Sequence, residues 1–109
     1  MKRVIKFRAY TEISNEVLGM KYDVPHTYND TVMQFTGLLD RNGKEIYEAD
    51  VVISPNYQYD PSNGDDPVEL SEVRFVDGAF IAGDYCLREF ELQDTEVIGN
   101  IYENPELLN

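Results

Sequence analysis

The stretch from Leu38 to Val52, LLDRNGKEIYEADVV, constrains the fold more than any other part of the chain. Asn42-Gly43 tolerates the positive φ values that tight reversals require, and apolar residues stand on both sides of it. The pattern predicts a turn centred on Asp40 to Lys44, with Ile46 and Tyr47 as apolar anchors beyond it. Glu48-Ala49-Asp50 then leads into a strand over Val51 to Ile53. A small residue followed by Asp suits a chain corner, because the carboxylate accepts nearby backbone N–H groups. Asp50 is therefore read as structural in preference to catalytic.

The same period-two logic places strands elsewhere. Val4 to Tyr10 alternates, with Ile5, Phe7 and Ala9 on one side and Lys6 and Arg8 on the other, the period of a half-buried strand. Val17 to Tyr22 returns as a second strand, and Thr31 to Leu38 forms a short third that Gly37 is expected to stop. Asp23 to Asp30, with Pro25 and the only histidine, His26, reads as a surface loop. Ser54 to Pro67, SPNYQYDPSNGDDP, reads as a long exposed loop, of the kind that is functional or mobile. Glu69 to Val76 and Ala79 to Ala82 flank Asp77-Gly78, the best two-residue hairpin signal in the chain.

Tyr85 to Glu91 fits two patterns. Asp84 suits the cap of a short helix with Leu87 and Phe90 on one face, yet Tyr85, Leu87 and Glu89 also alternate as in a strand. The helical turn is preferred. Glu96 to Tyr102 is a closing strand whose Val97, Ile98 and Ile101 seal the core. Asn104-Pro105-Glu106 supplies a cap, a proline in the first turn and an acid beside it, so a short terminal helix should dock through Leu107 and Leu108.

A chain of 109 residues with 42% hydrophobic residues, eight Tyr and five Phe can build one core, and residues 1–109 read as a single, mainly β domain. Cys86 stands alone and cannot form an internal disulfide; core packing is its better reading. No apolar run follows MKRVIKFRAY, while a membrane span needs about 20 apolar residues. Neither export nor anchoring is expected, and the cytoplasm is the expected compartment.

Charge separates the function classes. There are 21 acidic and nine basic residues, a formal charge of -12. Lys2, Arg3, Lys6 and Arg8 lie in the first eight positions, whereas 13 acids and only Arg74 and Arg88 follow from Asp60 onward. Solubility through self-repulsion explains most of this. A sharper reading is an acidic face for a basic partner, or the basic first strand of one copy meeting the acidic surface of another. Nucleic acid is disfavoured, because phosphates meet a repelling field, although a basic patch formed by Lys2, Arg3, Lys6 and Arg8 keeps it as an alternative.

Catalytic constellations are thin. One histidine excludes multi-histidine metal sites and makes any Ser-His-Asp arrangement depend on His26. Asp60, Asn63, Asp65, Asp66 and Glu69 supply oxygens suited to Ca²⁺ or Mg²⁺, but their spacing departs from that of an EF-hand. A solvated acidic loop is preferred, so no metal, cofactor or catalytic residue is expected. The glycines stand singly, with no phosphate-cradling loop. Tyr57 and Tyr59, beside prolines in the long loop, are the first candidates for a partner contact.

Three strings in order, IKFRAY at 5–10, VMQFTGLLDRNGKEIYEADVV at 32–52 and EVIGNIYENPELL at 96–108, resemble the signature blocks of the YopX-like family of phage and prophage proteins. The resemblance covers the beginning, middle and end of the chain. It implies a β-rich, SH3-like barrel with extra hairpins and a short C-terminal helix, an α+β arrangement being the alternative. It also implies a small phage or prophage protein with no established enzymatic activity to carry over. The family pattern has Gly where this chain has Ala49. A left-handed backbone there would cost about 1 kcal/mol, so the position is read as small and not left-handed. The expected function is a non-enzymatic accessory module that binds a host or phage protein or its own copies. The alternatives are an acidic decoy that mimics nucleic acid for a basic host protein, and an SH3-like nucleic-acid-binding module.

Overall fold

Alternation and turn chemistry do build a mainly β molecule, but as two open sheets. The computed structural model describes residues 5–11, 16–19 and 31–108. Strands β1 (Phe7–Thr11), β2 (Glu16–Gly19), β3 (Thr31–Leu39) and β4 (Glu45–Tyr47) form one antiparallel sheet in the order β2-β1-β3-β4. Strands β5 (Asp50–Pro55), β6 (Val68–Val76), β7 (Ala79–Ala82), β8 (Tyr85–Cys86) and β9 (Glu96–Asn100) form the other, in the order β8-β7-β6-β5-β9. The expected SH3-like barrel does not close among the described residues. Among the described residues β4 pairs only with β3, and β5 only with β6 and β9, so the chain passes between sheets at Glu48-Ala49 without joining their edges.

That corner is where the reading of Ala49 fails. Its φ is +73°, inside the left-handed region. The conformation is required because Ala49 bonds in both directions across the junction. Its N–H donates to Val73 O at 2.8 Å and its carbonyl accepts from Ile101 N at 3.0 Å. Two tertiary backbone bonds offset a strain of about 1–2 kcal/mol.

The Asp40 turn forms as expected. Asp40 N donates to Lys44 O at 2.8 Å, and Gly43 has φ +78°. Asp40 itself is buried, its Oδ1 accepting from the N–H groups of Asn42 and Lys44 and its Oδ2 from Val97 N on β9. One carboxylate thus closes the turn and blunts an edge strand. Gly37 does not stop β3. It takes φ +86° at a register shift between Phe35 and Leu39, so the residue that was expected to break the strand bulges it instead. Thr36 Oγ1 donates to Ile46 O at 2.7 Å and accepts from Leu38 N, serving backbone groups that the bulge takes out of the ladder.

The core joins Ile46 from the first sheet to Val52, Val73, Ala82 and Val97 of the second, closed by Leu87 and Phe90. Burying each large apolar side chain contributes roughly 1.5–3 kcal/mol. Asp77 (φ +50°) and Gly78 (φ +84°) make the tight reversal expected between β6 and β7. The preferred helical turn over 85–91 divides: Tyr85–Cys86 extends as β8, and a 3-10 turn runs only over Leu87–Glu89. Asp84 serves the β7–β8 turn and caps no helix; Leu87 and Phe90 are buried together as the helical pattern required. Cys86 is half-buried at the edge of the core.

The closing strand ends at Asn100, where Oδ1 accepts from Tyr102 N and Glu103 N and turns the chain. Of the three apolar residues expected to seal the core, Val97 is buried and Ile98 and Ile101 are half-buried. A 3-10 turn, Pro105–Leu108, follows. Leu107 packs over Gly99, while Leu108 is 42% exposed and docks less than expected.

Candidate functional site

Arg8 was expected on the solvent side of the first strand and instead reaches inward. Its side chain is only 11% exposed, and Nη2 meets Asp50 Oδ1 at 2.6 Å and Glu48 O at 3.3 Å. The guanidinium lies 4.6 Å from the centre of the Tyr47 ring, a cation–π geometry. Asp50 Oδ2 accepts from Tyr47 N at 2.8 Å. Burial pushes the Asp50 carboxyl above its usual value, against the pull of Arg8 and the Tyr47 N–H. Burial and the neighbouring Glu45 raise the Tyr47 phenol to about 12. Arg8 Nε is buried with no hydrogen-bond partner among the described residues. These groups border a polar cleft of about 460 Å³ that also takes in Lys44, Asn100 and Glu103. The acids there are engaged: Glu103 Oε1 accepts from Asn100 Nδ2 and Oε2 from Val17 N. The cleft is a junction between sheets, and its carboxylates Asp50 and Glu103 are committed to neighbouring groups of the chain.

The remaining N-terminal cations divide. Lys6 pairs with Glu45 at 2.6 Å on the surface; Lys2 and Arg3, like His26, lie outside the described residues. Strand β1 is flanked by β2 and β3, so it offers no open sheet edge to a neighbour.

The loop expected from Ser54 begins at Asn56, because Ser54 and Pro55 complete β5 and Ser54 is buried. Asn56 organises it. Its N–H donates to Pro67 O, its Oδ1 accepts from Gln58 N, and its Nδ2 donates to Asp66 O. Asp60 accepts from both the N–H and the hydroxyl of Ser62 and caps a 3-10 turn, Pro61–Asn63; these bonds hold its carboxyl below the usual value. The two candidate tyrosines behave differently. Tyr57 is 38% exposed, but its ring meets Tyr85 and Phe90 edge-on and its hydroxyl accepts from Glu91 N. It ties the loop to the core. Tyr59 is 46% exposed, with no such ring contact among the described residues.

A less polar groove of about 420 Å³ lies between Thr36 and Leu38 of β3 and Phe80, Cys86, Leu87 and Arg88. Strand β6 carries the feature that sequence reasoning missed. Val68, Leu70, Phe75 and Val76 are 50%, 39%, 46% and 39% exposed. The sequence places Glu69 to Val76 as one arm of a hairpin with no face assigned, and in the structure Ser71 and Val73 occupy its buried positions. The signal was present, since a nine-residue strand with apolar residues on both faces outruns a single core.

The comparisons agree with this architecture. The chain is similar to the crystal structure of protein EF1440 from Enterococcus faecalis, with a TM-score of 0.63, 25% identity, and coverage of 99% of this chain and 100% of that one. It is also similar in fold to protein yopX from Bacillus subtilis, with a TM-score of 0.60, 22% identity, and coverage of 95% and 98%. No curated protein matches it. The YopX protein family matches residues 6–109, a span that takes in both sheets, the Ala49 corner and the C-terminal turn, and the chain belongs to that family.

Proposed function

We propose that this chain is a non-enzymatic module that binds another protein through its second sheet. The carrying observation is the exposed apolar pair Val68 and Leu70 on one face of β6, with Val76 farther along that face and Phe75 turned to the other, against Phe80. Exposed apolar surface gathered in one place favours docking, whereas scattered apolar residues need no explanation. The buried carboxylates support a binding role over chemistry, because Asp40 and Asp50 spend both oxygens on backbone amides and Arg8. Tyr59 stands on the loop that leads straight into Val68, and Asn56 holds that loop in a fixed shape.

The test is recovery of partners by tagged protein from the cells that express it, with and without nuclease. A stoichiometric protein partner that survives nuclease is expected. Recovery that depends on nucleic acid would move the module to the nucleic-acid class. Light scattering on the purified chain tests self-association, the second form of the binding reading; a strict monomer removes it.

A further inference from the structure

The two halves of β6 have different neighbours. Val68 to Glu72 pair with β5, while β7 covers only Val73 to Val76. The bond from Asn56 N to Pro67 O fixes which residues face β5. In an antiparallel ladder the orientation alternates, so Glu69 and Ser71 face β5 and the N–H and C=O of Val68 and Leu70 face away. Past Ala82 the chain leaves in the Gly83-Asp84 turn, which approaches β6 at Ser71. Among the described residues, nothing pairs with the outer edge at Val68 and Leu70.

That open edge is apolar in its side chains and acidic in its surroundings. The register puts Val68, Leu70 and Glu72 on one face, beside Val51 and Ile53. The C-terminal 3-10 turn packs back toward β6 over this face and leaves Leu108 exposed. From Glu45 to Val73 the chain contains no Lys, Arg or His, while Asp65, Asp66, Glu69 and Glu72 surround the edge in sequence. Two copies with a charge of -12 repel when such faces meet.

Resting on the protein-binding reading, we propose that the Val68–Leu70 edge of β6 takes up an extended segment of a basic partner protein as an added strand. The segment alternates apolar residues, which cover Val68 and Leu70 on one face, with Lys or Arg, which face Glu69 on the other. Main-chain bonds supply the attachment and the alternation supplies specificity. The opposite-charge pairs across the new ladder add to it.

The experiment is fluorescence anisotropy with a labelled peptide of alternating Lys and Val. Its comparators are a peptide of the same composition with the lysines and valines in blocks, and an alternating peptide N-methylated on every second residue. Saturable binding of the alternating peptide is expected, weakened by about tenfold or more by N-methylation, by Leu70→Lys and by Val68→Pro. Val68→Pro removes only an outward N–H and leaves the β5 bonds in place, so it decides the matter if Leu70→Lys fails to fold. Equal binding of the alternating and block peptides, or binding indifferent to both variants, would reduce the effect to general attraction toward an acidic chain and overturn the proposal. A dimer of the chain that Leu70→Lys dissolves would overturn it by assigning the edge to a second copy. A partner from cells that both variants still retain would leave the binding reading standing and this edge excluded.

Discussion

Arg8 of β1 and Asp50 at the start of β5 meet at 2.6 Å, an ion pair that ties one sheet to the other at the corner where the chain crosses between them. Both side chains are largely out of water, at 11% and 1% exposure. Breaking such a pair from one side strands a buried charge, which costs about 3–5 kcal/mol. Arg8→Met and Asp50→Asn should each destabilise on that scale, and the double variant should cost clearly less than their sum. Urea unfolding of the four proteins in a double-mutant cycle measures the coupling. Additive effects would mean that the pair does not join the sheets.

Ala49 supplies a sharper test of the corner. Its φ of +73° favours glycine, while its burial favours keeping the methyl group. Relief of about 1–2 kcal/mol of strain is set against about 0.8 kcal/mol of lost burial and about 0.5–1 kcal/mol of added chain entropy. Ala49→Gly should therefore leave stability within about 0.5 kcal/mol. Ala9→Gly, at a buried position on β1 with no positive φ, should cost about 1 kcal/mol or more. Thermal melts of the two variants compare them directly, and an equal loss would refute the strain at Ala49.

The corner also shows why part of the molecule was legible in advance and part was not. Asn42-Gly43 and Asp77-Gly78 act through local φ preferences, so the turns they make could be read from neighbours in sequence. Gly37 follows the same preference, yet whether it stops a strand or bulges it depends on Thr36 meeting Ile46, a contact made across the sheet. Arg8 was misplaced for a related reason. Alternation assigns a side to a residue but cannot reveal that an anion waits there. Asp50 was read as a backbone acceptor, which is true of Oδ2, and Oδ1 was spoken for by a residue 42 positions away. The candidate partner surface was harder still. The open edge of β6 exists because β7 is shorter than its neighbour, a property of pairing that single-strand patterns do not contain.

Gly99 tests how the C-terminal turn is seated. A Cβ at this position would lie 2.5 Å from Asn104 Oδ1 and 2.8 Å from Leu107 Cδ1. Asn104 Oδ1 also accepts from Asn100 N at 3.2 Å, so moving it unmakes a β9 edge bond. Gly99→Ala should cost about 1–3 kcal/mol through overpacking. Leu107→Ala in the same chain should recover part of that loss. Hydrogen exchange at the Asn100 and Asn104 amides should accelerate in the single variant; unchanged exchange would show that the turn has room to spare.

Asp40 makes the clearest pH prediction. Burial pulls its carboxyl upward, but the N–H groups of Val97, Lys44 and Asn42 outweigh that pull and hold it below the usual carboxylate value. A depressed folded value means that the fold favours the ionised form. Its contribution is therefore complete above the unfolded value of about 3.9 and is lost as pH falls through the lower folded value. Asp40→Asn keeps one acceptor oxygen and loses the other, leaving a buried N–H unmatched at a cost of about 1–3 kcal/mol near neutral pH. Asp50, whose carboxyl is shifted upward, responds to acid in the opposite sense and is common to both proteins. The difference in unfolding free energy between wild type and Asp40→Asn thus isolates Asp40. It should be constant from pH 7 to about 5 and shrink below about 4. A difference that stays flat through the acid range would show that the Asp40 carboxylate is not the group that clamps β9 to the turn.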